Sequence, residues 1–174
     1  MALPSDSGTS LQESFAVRVS SAAGRWQCEL LAADADDELP ALERALGEPG
    51  TAGWPGPLVL VVDSRLYFVV LRHGPGGMVR ALISDATFQE HLLAAEVVER
   101  YGIPVETGTT IDDAFDADEQ GRPGGDLDVL ADAGLPAEEL SRLLDSDELW
   151  ADEVVLVIAE RLGFADELRA VAAS

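Results

Sequence analysis

Lysine and asparagine are missing altogether, cysteine occurs once, histidine twice, and aromatic residues make up only 6% of the 174 positions. Each scarcity removes a class of chemistry. All 11 basic residues are arginines, scattered singly from Arg18 to Arg169, against 33 acidic ones, and the net charge is −22. Nucleic-acid binding draws on clustered Lys and Arg to release phosphate counterions. A chain this acidic is repelled by a phosphate backbone at long range. Direct binding of DNA or RNA is disfavoured, and anionic membrane surfaces are disfavoured on the same ground. The bias towards Ala, Gly, Asp and Arg also matches a GC-rich genome, so the charge has a genomic explanation beside a functional one. The lone Cys28 forbids an internal disulfide and suits a reducing compartment. No apolar run approaches the roughly 20 residues that cross a bilayer. Residues 1–13 lack the basic and apolar regions of a secretory signal. The expected location is the cytoplasm.

The catalytic inventory is equally thin. A zinc site needs three or four nitrogen or sulfur ligands held together, and His73, His91 and Cys28 are separated by whole elements. Asp116-Ala117-Asp118-Glu119-Gln120-Gly121 resembles the start of an EF-hand loop. The position that must hold a bidentate glutamate there is Leu127, so a solvated acidic loop is the better reading. Cys28 alternates with Trp26 and Leu30 on one strand face, which makes it a small hydrophobe and not an activated thiolate. Gly74-Pro75-Gly76-Gly77 lies between two strands and opens no helix, so it reads as a hairpin turn and not a phosphate cradle. The segment after Gly134-Leu135-Pro136 has the outline of a second helix-turn-helix element. Its acids outnumber its one arginine, Arg142, which suits a protein contact and not DNA. No metal or cofactor is expected, and with so many acids the sequence singles out no carboxylate pair for acid–base work.

What is present is an apolar fraction of 47%, enough for a substantial core. Phe15, Val17 and Val19, then Trp26, Cys28 and Leu30, alternate with polar or small residues around a Gly24 turn, the pattern of a hairpin with one buried face. Leu39, Leu42 and Leu46 sit at helical spacing in a helix expected around 38–46, with Pro40 in its first turn and Gly47 as its C-terminal cap. Leu58–Val62 and Leu66–Leu71 are almost unbroken apolar runs, which predicts central strands. Met78–Ser84 predicts another strand. A helix from near Thr87, with Thr87 and Glu90 spaced as a capping box, carries Leu93, Val97 and Tyr101 on one face. Residues 126–133, 136–144, 151–162 and 165–172 read as short helices that cannot bury their faces alone. The expected architecture is α+β: a mainly antiparallel five-stranded sheet with elements in the order ββαβββα, followed by a cluster of short C-terminal helices. The expected organisation is a disordered tail at 1–13, a sheet domain at 14–104, an acidic Gly/Pro linker at 105–125 and a helical module at 126–174. Within the linker, Asp112, Asp113, Asp116, Asp118 and Glu119 form the segment most suited to a basic partner.

Several stretches together are similar to a small actinobacterial family, the tRNA adenosine deaminase-associated proteins. They are the hairpin with Trp26 in its second strand, the acidic Leu-rich helix, the paired apolar strands, and Arg80-Ala81-Leu82-Ile83-Ser84-Asp85-Ala86. Gly125-Asp126-Leu127-Asp128-Val129-Leu130-Ala131-Asp132-Ala133-Gly134-Leu135-Pro136 and Ile158-Ala159-Glu160-Arg161-Leu162-Gly163-Phe164 complete the resemblance, which spans about residues 15–172. The resemblance implies proximity to a tRNA-editing deaminase and hence to tRNA modification. It brings no catalytic residues, and the chain lacks the His-x-Glu and Pro-Cys-x-x-Cys signature of such an enzyme. The leading expectation is a non-enzymatic accessory protein that binds a basic partner, the deaminase itself, through its acidic surface. Two other readings stand beside it: a small-molecule-binding or regulatory domain with an apolar pocket near Trp26 and Tyr67, and an enzyme whose carboxylates converge in one cleft. Oligomeric state is not legible.

Overall fold

In the computed structural model the described residues are 11–22, 24–31, 39–47, 57–74, 77–85, 91–103, 123–145 and 148–173. Six strands form one sheet: β1 (Phe15–Ala22), β2 (Arg25–Leu30), β3 (Leu58–Asp63), β4 (Tyr67–His73), β5 (Val79–Ile83) and β6 (Gly124–Gly125). Their spatial order is β2-β1-β3-β4-β5-β6, with every neighbouring pair antiparallel. Five α-helices accompany them: α1 (Leu39–Leu46), α2 (Leu92–Arg100), α3 (Ala137–Leu144), α4 (Ala151–Leu162) and α5 (Ala165–Ala172).

The unbroken apolar runs are explained by helices on both faces of the sheet. Successive strand residues point to opposite faces. Phe15, Val17, Val19, Leu58, Leu60, Val62, Phe68, Val70 and Leu82 meet the C-terminal helices through residues such as Leu140, Val155, Ile158, Phe164 and Leu168. Ala16, Val59, Val61, Tyr67, Val69, Leu71, Ala81 and Ile83 meet α1 and α2 through Leu39, Leu42, Leu46, Leu93, Ala94 and Val97. Every residue from Leu58 to Val62 is therefore at most 1% exposed. Truncating one of them, as in Leu60→Ala, costs about 2–5 kcal/mol by lost transfer energy and residual cavity.

Four expectations are corrected. The sheet has six strands and not five, because Gly124–Gly125, expected to close a linker, pairs with Leu82 and Ile83. Residues 126–133 are not an α-helix: they are a turn leading into a short 3-10 turn at Ala131–Ala133, held at its start by the Asp126 carboxylate accepting from the Asp128 N–H at 2.9 Å. The hairpin face of β2 is incompletely covered, since β2 is an edge strand and Leu30 remains 43% exposed. Order also begins earlier than Phe15. Leu11 is buried and bridges to Ala173, while the Gln12 N–H donates to the Ala172 carbonyl at 2.8 Å. The Thr87–Glu90 capping box lies outside the described residues.

Two glycines fasten the C-terminal helices to the sheet. Gly125 has φ +93°, and a Cβ there would lie 2.2 Å from the Ala81 carbonyl oxygen. The backbone can approach β5 only without a side chain. The next residue, Asp126, donates its N–H to that same oxygen at 2.9 Å and pairs its carboxylate with Arg80. Gly163, at φ +105°, ends α4 in a left-handed cap. Phe164 then turns inward, fully buried, with its ring 5.2 Å from that of Trp26 on β2.

Candidate interaction surface

Asp112, Asp113, Asp116, Asp118 and Glu119, the acidic segment singled out from the sequence, lie outside the described residues. Three described acids, Glu43, Glu96 and Glu99, line a groove between α1 and α2.

The groove follows from two short amphipathic helices. The buried side of α1 is Leu39, Leu42 and Leu46, and that of α2 is Leu93, Ala94 and Val97. The i+3 and i+4 spacing that packs those residues on the sheet leaves Glu43 on α1 and Glu96, Glu99 and Arg100 on α2 along the seam. A groove of about 490 Å³ results, lined by Leu39, Pro40, Glu43, Glu96, Glu99 and Arg100. Glu96 reaches across and accepts from the Leu39 N–H at 3.1 Å, satisfying one of the free amides at the start of α1. Glu43 accepts from the Tyr101 hydroxyl at 2.5 Å and from the Arg100 Nε at 3.3 Å. Burial and then the Glu43 carboxylate hold the Tyr101 phenol well above its ordinary range, so it stays protonated and donating. The same carboxylate raises the Arg100 guanidinium. With three carboxylates against one guanidinium, and Leu39 and Pro40 as apolar wall, the groove suits a cationic side chain with an aliphatic stem.

A second cleft, about 410 Å³, lies along β5 and the end of α2, lined by Val79, Arg80, Ala81, Tyr101, Gly102, Ile103, Gly125 and Asp126. Its two charged residues, Arg80 and Asp126, are already paired with each other.

The remaining chemistry-bearing residues are dispersed. His91 Nδ1 is 3.4 Å from Asp63 Oδ2, an oxygen that also accepts from the Tyr67 hydroxyl at 2.9 Å. The His91 ring stands edge-on to Tyr67 at 5.8 Å. His73, at the other end of β4, has Nε2 2.8 Å from the Gly47 carbonyl, which can only accept, so Nε2 carries the hydrogen. Cys28 sits half-buried on β2, and burial followed by the Glu167 charge pushes its thiol up to about 12. Among the described residues no three potential metal ligands converge. Trp26 and Tyr67, expected to share a pocket, lie on opposite faces of the sheet, and Tyr67 is fully buried. Among the described residues no helix is long and apolar enough to cross a membrane.

α1 is legible in the sequence as an acidic, leucine-rich helix, but its pairing with α2 is not. The signal was available in the Glu96, Glu99 and Arg100 spacing on one side of Leu93 and Val97. What the sequence lacked was the strand order that sets the two helices side by side.

Known proteins resemble this chain along most of its length. A family model described as Rv3753c-like tRNA adenosine deaminase-associated protein matches residues 14–165. Protein Rv3753c of Mycobacterium tuberculosis is 38% identical over 160 residues, covering 91% of this chain and 87% of that relative. No solved structure matches.

Proposed function

This chain belongs to the Rv3753c-like tRNA adenosine deaminase-associated protein family, and from that premise we propose that it is a non-enzymatic accessory protein that docks a basic protein partner, a tRNA adenosine deaminase. The observation that carries this reading is the α1–α2 groove, whose three carboxylates and apolar wall are built to receive arginine or lysine side chains. Its interactions with Tyr101, Arg100 and the Leu39 amide hold Glu43 and Glu96 in place before a partner arrives. Glu99 remains exposed on the rim. An acidic groove on a body of net charge −22 speeds encounter with a basic protein and sharpens the choice among partners. The reading places the protein in the cytoplasm, with no cofactor and no direct contact to RNA.

The test is co-purification of the deaminase with the tagged full-length chain from its source cell at about 50 mM and about 500 mM salt, a range over which surface attraction is increasingly screened. Recovery of the deaminase that falls at high salt supports the proposal. Absence of the deaminase at both salt concentrations overturns it.

A further inference from the structure

The turn between β3 and β4 carries a conformational cost that comes from its residue types, because a tight hairpin turn needs positive φ and Asn or Gly would supply it more easily. Ser64 and Arg65 have φ of +54° and +60°, a region in which hairpin turns favour Asn and Gly and in which other L-residues are strained. The neighbours hold both in place. The Ser64 N–H donates to Ser14 Oγ at 2.8 Å, the Arg65 N–H donates to the Glu13 carbonyl at 2.9 Å, and the Arg65 carbonyl accepts from the Ala151 N–H at 3.1 Å. A glycine at position 65 would make the same backbone bonds without strain. The arginine side chain is therefore what the position retains. Its Nε donates to the buried Asp152 carboxylate at 2.9 Å, and its guanidinium lies 5.0 Å over the ring of Trp150.

Clamping Asp152 accounts for the arginine but not for the tryptophan. Trp150 is 52% exposed and the neighbouring turn residue Leu66 is 38% exposed. The Trp150 ring is stacked by Arg65, and its backbone N–H is bound to Glu153 Oε2 at 2.7 Å. An aromatic ring fixed in this way and left open to solvent loses little further freedom on contact, the property of a binding anchor. Its surroundings select the partner's charge. Asp152 pairs with Arg65, Glu153 holds the Trp150 amide, Glu13 holds the Arg65 amide through its carbonyl, and the charges of all three act on a guanidinium that is already engaged.

We infer that the Arg65–Leu66–Trp150 tip is a docking surface for a cationic, partly apolar segment of a partner protein, with Trp150 as its central anchor. The inference rests on the accessory-protein reading but uses a surface separate from the α1–α2 groove. The partner segment lays apolar surface on Trp150 and Leu66 and brings Arg or Lys towards Glu13 and Glu153. RNA is the wrong occupant, because its phosphates would face those same carboxylates.

The experiment is calorimetric binding of the purified source-cell tRNA adenosine deaminase to the full-length chain and to three variants. Trp150→Ala is expected to weaken binding by about tenfold or more, the loss typical of a buried aromatic anchor. Glu13→Gln should weaken it less and reduce its salt dependence. Met78→Ala, an exposed apolar residue on β5's flank, should bind as wild type. Far-UV circular dichroism checks that Trp150→Ala is folded, and Leu66→Ala serves as a second probe if it is not. Wild-type binding retained in both Trp150→Ala and Leu66→Ala overturns the tip while leaving the accessory role standing. No binding by wild type overturns both. A concentration-dependent dimer that Trp150→Ala abolishes, seen by sedimentation, also overturns it by showing that a second copy occupies the surface.

Discussion

Replacing Gly125 by alanine should release the clip that joins the C-terminal helices to the sheet edge. The cost has two sources. Residue 125 has φ +93°, and holding an alanine in a sparsely populated region costs about 1–3 kcal/mol. The alanine Cβ would also sit 2.2 Å from the Ala81 oxygen, a backbone atom that cannot rotate away. β6 must therefore move off β5, and the Asp126 N–H to Ala81 hydrogen bond is lost with it, about 1 kcal/mol more. The expected loss is about 2–4 kcal/mol, read as a lower midpoint at unchanged slope in urea unfolding followed by far-UV circular dichroism. Gly24→Ala is the control. Gly24 also has positive φ, +75°, but nothing lies within 4 Å of the place its Cβ would take, so only a conformational cost of about 1 kcal/mol is expected. Equal losses in the two variants would refute the argument, because the close approach to Ala81 would then contribute nothing.

Other outcomes follow from the same contacts. Phe164→Ala removes a fully buried ring that lies tilted against Trp26 and should cost about 3–5 kcal/mol in the same urea assay, with a red shift in tryptophan emission. Cys28, with its thiol near 12 instead of the ordinary 9.0, should react with iodoacetamide at pH 8 far more slowly than after unfolding in urea, since only the thiolate attacks. The raised Cys28 and Tyr101 values also give a sign for alkaline stability. Both groups titrate higher in the folded chain than in the unfolded one, so their contribution is complete below about pH 9 and declines as pH rises above it. Urea midpoints measured from pH 8 to pH 11 should fall, and Tyr101→Phe should flatten the upper part of that decline.

The sheet was legible because apolar runs carry their own explanation. Leu58–Val62 and Leu66–Leu71 pointed to central strands, and β3 and β4 lie in the middle of the sheet with helices on either face, although β4 starts at Tyr67 and Leu66 belongs to the turn. Gly47 likewise marked the end of α1. What escaped was anything set by contacts between distant segments. Two glycines at 124 and 125 have no strand propensity and become a strand only because β5 offers an edge. Leu11 looks isolated among Ser, Gly and Thr, and is ordered because Ala172 and Ala173 return beside it. Residues 126–133 have helical spacing at Leu127 and Leu130, but the Asp126 carboxylate bonds the Asp128 amide locally and tightens the chain into a turn. The groove between α1 and α2 was illegible for the same reason, since Glu43 and Glu96 are separated by three strands in sequence.

The stretches that carry the family resemblance explain why membership narrows the fold more than the activity. Arg80 to Ser84 supplies β5, its ion pair to Asp126, and a Ser84 hydroxyl that accepts from the Phe68 N–H at 2.8 Å. Gly125 to Pro136 docks on Ala81 and leads into α3. Glu160 to Phe164 ends α4, turns at Gly163 and buries Phe164 beside Trp26. These three stretches are fasteners between the sheet and its helices, and none of the three lines the α1–α2 groove or the Trp150 tip, whereas the acidic Leu-rich helix, α1, supplies Leu39, Pro40 and Glu43 to the groove. A relative that kept these fasteners would keep the architecture whatever its surface did. The functional question therefore separates from the structural one at identifiable residues. Gly125→Ala and Phe164→Ala should change stability wherever partner binding occurs, whereas Glu99→Gln and Trp150→Ala should leave the urea midpoint nearly unchanged and alter partner binding alone. If the surface variants instead unfolded the chain and the fasteners left it intact, the division of labour argued from these contacts would be reversed.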